Sequence, residues 1–450
     1  MTKLRYQQQG CAAGSQERGD RGLRATSGSS TSTTATSTGT TTTTTVSSSP
    51  VSACRPVSVR MPERVSLRDL ERAHYRARRG KKPGRDMARF HVRSIDNLLL
   101  LRDQINDHTL VPSRTVCMVA EDPKAREIHA PAYRDRVFHH WAVPKLEALY
   151  EPRTCYDSYA NRKGKGLLQA VRRVQQFFRQ VQSGQGGGWC LKLDIANFFY
   201  SVNRRKLWQM LKKAMQAGGL PLTLQRAIHA ALRGDPLAAG VTYQATPEEL
   251  ALVPPHKRLK NARPGFGLPI GNLLSQCLAP TVYLDPLDQF IKHVLKVKRY
   301  VRYVDDFLLI HQSREQLLEW QDRIEAFLRE HLDLHLKAER QLLPLTHGCD
   351  FLGYVIYPTH MRVRRRVVSH AREAFAAWSR AHVHGNQIRA TPEQLRRGRS
   401  QAASYFGHLR HAGAHGLEAE FRRRNPWISV VERPRRISHK LQGSELCIPL

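Results

Sequence analysis

Apolar residues recur every three to four positions in "VSLRDLERAHYRARRG" and "RSIDNLLLLRDQIND", a spacing that predicts amphipathic helices. The segment "TVCMVAEDPKAREIHAPAYRDRVFHHWAVPKLEALY" predicts strand, turn, strand, then helix. A basic glycine loop, "DSYANRKGKG", leads into the helical "LLQAVRRVQQFFRQVQS", which "GQGGG" at 184–188 ends. "WCLKLDIANFFYSV" then predicts a strand, and "RRKLWQMLKKAMQ" and "LTLQRAIHAALRG" predict helices. The turn-rich "ARPGFGLPIGN" opens a helix over "LLSQCLAPTVYLDPLDQFIKHVLK". Next, "RYVRYV" and "FLLI" flank Asp305-Asp306, predicting a β-hairpin with both carboxylates at its tip. The helical "SREQLLEWQDRIEAFLREH", a strand-like "CDFLGYVIY" and a basic helical portion from about 362 complete the pattern. Helices and strands mix without regular βαβ alternation, so the expected class is α+β.

Composition changes this picture at the N-terminus. Residues 26–49 are almost wholly Ser and Thr, with too little apolar surface to offset the entropy of ordering. Residues 1–60 are therefore expected to be a disordered tail, and the functional chain is expected to start near Met61. Lys and Arg total 72 against 38 Asp and Glu, a net charge of +34. So positive a field points to a polyanion, most simply nucleic acid. No apolar run approaches the roughly 18 residues of a spanning helix. Residues 1–25 lack the apolar core of a signal peptide. None of the eight cysteines is spaced C-x-x-C, which argues against a zinc ribbon or a disulfide framework. A reduced, cytoplasmic protein without a membrane partner is expected.

The chemistry lies in the carboxylates. Asp305 and Asp306 interrupt an apolar run, where unpaired charge is costly unless something compensates it. Taken alone, the pair reads as an ordinary turn. Asp194, at the end of the apolar strand "LKLD", changes the weighting. Two-metal phosphoryl transfer needs carboxylates from separate strands converging on ions about 4 Å apart. Mg²⁺ suits such oxygen ligands, with Mn²⁺ able to substitute. The Ile195 carbonyl is a further candidate ligand.

"YVDD" following "LDIANFF" resembles motifs C and A of reverse transcriptases. "GLPIGNLLSQ" resembles motif B, "LHLKAE" motif D and "CDFLGY" motif E. "REIHAPAYRDRVFHHWAV" and "DSYANRKGKG" resemble fingers motifs of bacterial enzymes. The resemblance spans about 70 to 415 and implies a right-hand polymerase. Fingers and palm are expected over 61–360, a thumb over 361–420 and a basic, nucleic-acid-gripping tail over 421–450. It implies catalytic, metal-holding roles for Asp194, Asp305 and Asp306. Phe199 matches the position that excludes a nucleotide 2′-hydroxyl. Arg162, Lys163, Lys165, Ile270, Gln276 and Lys337 are nucleotide-binding candidates, with Lys337 a possible proton donor to pyrophosphate. Phe351, Leu352 and Gly353 match the primer grip. The solvated or merely packed reading stays open for each basic residue and for Phe199.

Motif B carries a departure. Ile270 fills a position where retroviral enzymes have glutamine, and Ser275-Gln276 closes the motif. "IGNLLSQ" resembles the form in diversity-generating retroelement reverse transcriptases, which copy a template RNA into cDNA with errors opposite adenines. This implies template RNA, a DNA or RNA primer and dNTPs as partners, with an accessory variability protein. A related bacterial antiphage-defence reverse transcriptase and a non-catalytic RNA-binding protein on the same scaffold are the alternatives.

Overall fold

The computed structural model describes residues 64–121, 124–183, 187–432 and 446–450. The Ser/Thr-rich tail and the expected start at Met61 lie outside them, as does most of "GQGGG".

A four-stranded antiparallel sheet organises the centre, in the order Tyr300–Tyr303, Asp306–His311, Trp189–Asp194, Gln341–Pro344. Its central strands are apolar on both faces, which explains their near-continuous hydrophobic runs. Leu191, Leu193, Phe307 and Leu309 enter one core, shared with helices such as Arg314–Leu332 and Arg204–Ala217. Cys190, Leu308 and Ile310 enter a second core on the opposite face, under helix Leu167–Gln182. Alternate side chains of a strand point to opposite faces. Asp194, Lys192 and Asp306 therefore share the second face, toward the hairpin Cys349–Phe351 and Tyr354–Ile356.

Strands Thr115–Ala120 and Arg126–Pro131 pair antiparallel, and Val241–Tyr243 joins them in parallel. The short helix Leu273–Leu278 packs on helix Tyr133–Tyr150 behind this sheet. The single helix expected over "LLSQCLAPTVYLDPLDQFIKHVLK" is instead four short segments, two of them π-helical. Pro280 and Pro286 have no N–H and crowd the carbonyl four residues earlier, so the regular ladder cannot continue.

A third core holds Phe375, Trp378, Phe406, Phe421, Trp427 and Ile428. Strand Leu446–Pro449 pairs with Gln387–Ala390 beside it. The expected boundary at 420 falls within this core. Phe421 and Trp427 are 1% exposed, and Arg422 is consumed by Glu418 and Glu432. Among the described residues no helix is long and apolar enough to cross a membrane.

Candidate active site

Asp194 ends its strand and Asp306 begins the neighbouring one, and the two are direct register partners. The turn differs from expectation. Its two residues are Val304 and Asp305, while Asp306 pairs with Tyr303 on the ladder. Val304 has φ +59°, a left-handed conformation costly for a β-branched residue, by about 1–3 kcal/mol. Arg302 holds it there, donating from Nη1 to the Val304 carbonyl at 3.0 Å. The Arg302 guanidinium is fully buried and bonds Asp288, with Nε 2.8 Å from Oδ1. The Tyr300 hydroxyl donates to the same Asp288 oxygen at 2.7 Å. From the other side, the N–H of buried Ile195 donates to the Asp305 carbonyl at 3.2 Å. Sequence reading missed Arg302 and Asp288. The available signal was a lone arginine inside "YVRYV"; Asp288 shares its short helix with Asp285, so nothing local marked it out.

Burial pushes Asp305 up to about 6, reinforced by Asp194 and opposed by Lys337 and Arg126. Burial likewise pushes Asp306 up to about 7, opposed by Lys192 and reinforced by both other aspartates. Lys192 Nζ stands 3.7 Å from Asp306 Oδ2 and is anchored on the Asp350 carbonyl at 2.8 Å. Lys337 forms an ion pair with Asp194 Oδ2, and its backbone N–H donates to the Asp194 carbonyl at 2.8 Å. Asp194 Oδ1 and Asp306 Oδ1 are buried without any hydrogen-bond partner. Orphaned carboxylate oxygens on two opposed strands, beside a third carboxylate, form a hard all-oxygen donor set that fits Mg²⁺.

The segment after Asp194 is zipped to motif B. Leu268 N–H donates to the Phe199 carbonyl at 2.8 Å, and Gly267 N–H to the Val202 carbonyl at 2.9 Å. The ring of Phe199 is half-buried and meets Phe198 edge-on at 5.3 Å. The Ile270 carbonyl accepts the His129 N–H at 2.7 Å, pressing motif B onto the strand Arg126–Pro131. Gly271, with φ +102°, permits this approach, since a Cβ there would lie 2.7 Å from Ile128 and 3.2 Å from the His129 carbonyl. Asn272 caps the following helix through Leu274 and Ser275. The Gln276 carbonyl accepts Asn161 Nδ2 at 2.9 Å, which ties the basic glycine loop to motif B.

Two of the three cations of that loop make contacts within it. Arg162 is engaged by Glu151 and donates from Nη1 to the Cys155 and Ser158 carbonyls at 2.7 Å. Lys165 donates to the Tyr156 carbonyl at 3.0 Å and lies over the Tyr156 ring. Arg162 thus spends most of its donors within the loop, and Lys165 one of its three. Lys163 is exposed, 3.6 Å from Glu147. Positive charge near the aspartates also comes from Lys337, Arg126, Lys192 and Lys257; burial and neighbouring cations lower the Lys257 pKa, partly opposed by Asp194. Arg126 and Lys257 were not singled out from sequence.

The strand expected over "CDFLGYVIY" is a hairpin turning at Leu352 and Gly353, with φ +51° and +89°. Phe351 is fully buried, so of the three primer-grip candidates only Leu352 and Gly353 are at the tip. The Gly353 carbonyl accepts the Arg364 N–H at 3.0 Å and faces His408 Nε2 at 3.3 Å. Tyr354 stacks on His408 at 4.1 Å, joining this hairpin to the third core's helix Pro392–His411.

The opposed aspartates on this sheet, followed by a tight hairpin, define a nucleotidyl-transfer palm. Residues 120–356, over half of the chain, match the family model described as reverse transcriptase (RNA-dependent DNA polymerase). The chain belongs to that family. It is similar to Protein YkfC of Escherichia coli (strain K12), 22% identical over 309 residues that cover 60% of this chain and 74% of that one. It is also similar to a solved structure of telomerase from Candida albicans in complex with a TWJ fragment of telomeric RNA. That match has a TM-score of 0.36 and 11% identity, covering 70% of this chain and 55% of the telomerase chain. The chain thus spans about half the length of that telomerase chain.

Proposed function

We propose that this protein copies an RNA template into cDNA by two-metal-ion nucleotidyl transfer, as the adenine-mutagenic enzyme of a diversity-generating retroelement. The observation that carries the polymerase chemistry is the opposed Asp194–Asp306 pair with Asp305 held beside it. These three carboxylates would hold Mg²⁺ or Mn²⁺, with the Ile195 carbonyl as a further ligand. When bound, the ions supply the Lewis acidity that activates a primer 3′-hydroxyl and neutralises the leaving pyrophosphate. Lys337 Nζ, already at Asp194, is positioned to hand that pyrophosphate a proton. Arg126 and Lys257 bring positive charge to the triphosphate side. Phe199 limits the space for a ribose 2′-oxygen. Leu352 and Gly353 steady the primer strand.

The retroelement reading is supported by motif B. Ile270 is fixed by its carbonyl to the strand Arg126–Pro131, and its apolar side chain offers no hydrogen bond to a templating base. A site without that bond penalises a mispair less. Template RNA, a primer, dNTPs and an accessory variability protein are the partners of this reading, in the cytoplasm. The test is primer extension by the full chain on an RNA template with Mg²⁺, followed by cDNA sequencing. Extension with errors concentrated opposite adenine is expected, and Ile270→Gln should reduce them. An even error spectrum with robust synthesis would overturn the retroelement reading. No synthesis on any template, ion or partner would favour the RNA-binding scaffold.

A further inference from the structure

Away from the aspartates, a second group of ligand-type side chains is buried in the three-stranded sheet. Cys117 and His129 are register partners on the antiparallel strands, and Glu127 precedes His129 by two positions. Directly opposed and diagonal residues share a sheet face. Thiol, carboxylate and imidazole therefore converge, and one donor atom from each lies within 4.8 Å of the other two. Glu127 Oε1 is 3.8 Å from Cys117 Sγ, and Glu127 Oε2 is 3.1 Å from His129 Nε2. Around a tetrahedral zinc ion with bonds of about 2.0–2.3 Å, ligand atoms stand about 3.3–3.7 Å apart. The two contacts to the carboxylate, one on each oxygen, fall on either side of that range, and the whole set lies within 4.8 Å.

The cluster is incomplete as a hydrogen-bond network. Cys117, Glu127 and His129 are 0%, 3% and 1% exposed, yet His129 Nδ1 has no partner. The Tyr200 hydroxyl is also buried without a partner, and lies close enough to Glu127 and Cys117 for both to raise its pKa. Buried polar groups are seldom left so. A cavity of about 110 Å³, lined by Glu127, Tyr243, Leu250, Arg258 and Lys260, has room for water.

We infer that Cys117, Glu127 and His129 bind one divalent transition-metal ion of the zinc class, with water from this cavity in the fourth position. A thiolate and an imidazole select such an ion over the hard Mg²⁺ suited to the aspartates. Uptake expels the Cys117 proton, which burial and Glu127 otherwise hold on the thiol. The ion is a positioning device. Glu127 also accepts the Leu259 N–H at 2.6 Å, so the ion locks the strand pair to the segment leading into motif B. Glu127 adjoins Arg126, whose charge acts on Asp305.

The test is titration of the full chain with Co²⁺ in excess Mg²⁺, followed by absorption spectroscopy. A single equivalent should give tetrahedral d–d bands and a thiolate-to-cobalt charge-transfer band. Cys117→Ser should abolish the charge-transfer band, whereas Asp194→Asn with Asp306→Asn should leave it intact. If Cys117→Ser fails to fold, Glu127→Gln and His129→Gln should each weaken cobalt binding at least about tenfold. Absence of the charge-transfer band in the unaltered protein overturns the inference, as does its survival in Cys117→Ser.

Discussion

Arg302 donates to the carbonyl of Val304 at 3.0 Å, one residue before Asp305, while Asp288 holds the same guanidinium in the core. Breaking a buried pair by removing one partner leaves an uncompensated charge and costs about 3–5 kcal/mol. Asp288→Ala should therefore lower the urea midpoint sharply. Arg302→Lys keeps the charge but cannot reach Asp288 and Val304 in one planar fork. It should lose less stability than Asp288→Ala, yet still lose polymerase turnover as the Val304–Asp305 turn relaxes. Full turnover in folded Arg302→Lys would remove Arg302 from the positioning of Asp305.

Asp305 and Asp306 lie above their ordinary value of 3.8, at about 6 and about 7. The folded state therefore binds protons that the unfolded state releases, and ionising these groups costs stability. In chelator, their penalty is absent below about pH 4, grows as pH rises through about 6 and 7, and is complete at about pH 8. Mg²⁺ should raise the Tm at about pH 8 more than at about pH 5, because bound cations compensate the ionised forms. Relative to the unaltered protein, Asp306→Asn should be stabilised in chelator at about pH 8 and nearly neutral at about pH 4. Equal effects of Asp306→Asn at both pH values would show that Asp306 ionises without penalty.

Lys337 stands on Asp194 as an ammonium where a cation's charge is also wanted. Lys337→Met removes that competitor, so Mn²⁺ affinity measured by calorimetry should tighten several-fold. Turnover should nonetheless fall about 10²-fold if the ammonium gives the pyrophosphate its proton. The split between tighter metal and slower chemistry separates a proton donor from a simple ion-pair partner. Weaker metal binding together with unchanged turnover would refute both roles.

The basic stretch after 420 carries residues of the third core. Ending the chain at 420 removes Phe421, Trp427 and Ile428 from the third core. A loss of such aromatic and aliphatic contacts costs several kcal/mol. The truncated chain should show a lower first melting transition, whereas Arg423→Ala with Arg424→Ala should leave melting unchanged and flatten only the salt dependence of RNA binding. If truncation left the thermal unfolding profile intact, the core contacts of Phe421 and Trp427 would contribute little.

Local pattern made much of the palm legible. The strand ending at Asp194 and the strand after Asp305 were readable because both are bounded apolar runs, and a two-residue interruption marks a hairpin. The exact turn was not legible. Asp305-Asp306 looks like the better turn pair, and Val304 occupies the left-handed position only because Arg302, buried through tertiary contact with Asp288, holds its carbonyl. The partners of the basic loop were hidden for a similar reason. Arg162 and Lys165 look free in "NRKGKG", but Glu151 and the carbonyls of Cys155 and Tyr156 lie where only the folded chain brings them. Arg126 was hidden by the opposite effect: nothing local distinguishes it, and its importance is its nearness to Asp305.

Phe199 follows Asp194 by five residues and has its carbonyl fixed by Leu268, so motif B and the strand ending at Asp194 together set where its ring stands. The ring is half-buried and braced edge-on by Phe198. In the role proposed for it, the ring would discriminate by volume, since a ribose needs room for one more oxygen than a deoxyribose. Phe199→Ala opens the space without disturbing the backbone bond from Leu268. Ribonucleotide incorporation relative to deoxyribonucleotide should then rise at least about tenfold, within the range a single steric contact controls. The change should appear mainly as a lower KM for the ribonucleotide, with dNTP turnover within a few-fold of the unaltered enzyme. Single-nucleotide extension with matched rNTP and dNTP pairs measures both. An unchanged ratio in a stable variant would reduce Phe199 to a packing residue of the palm.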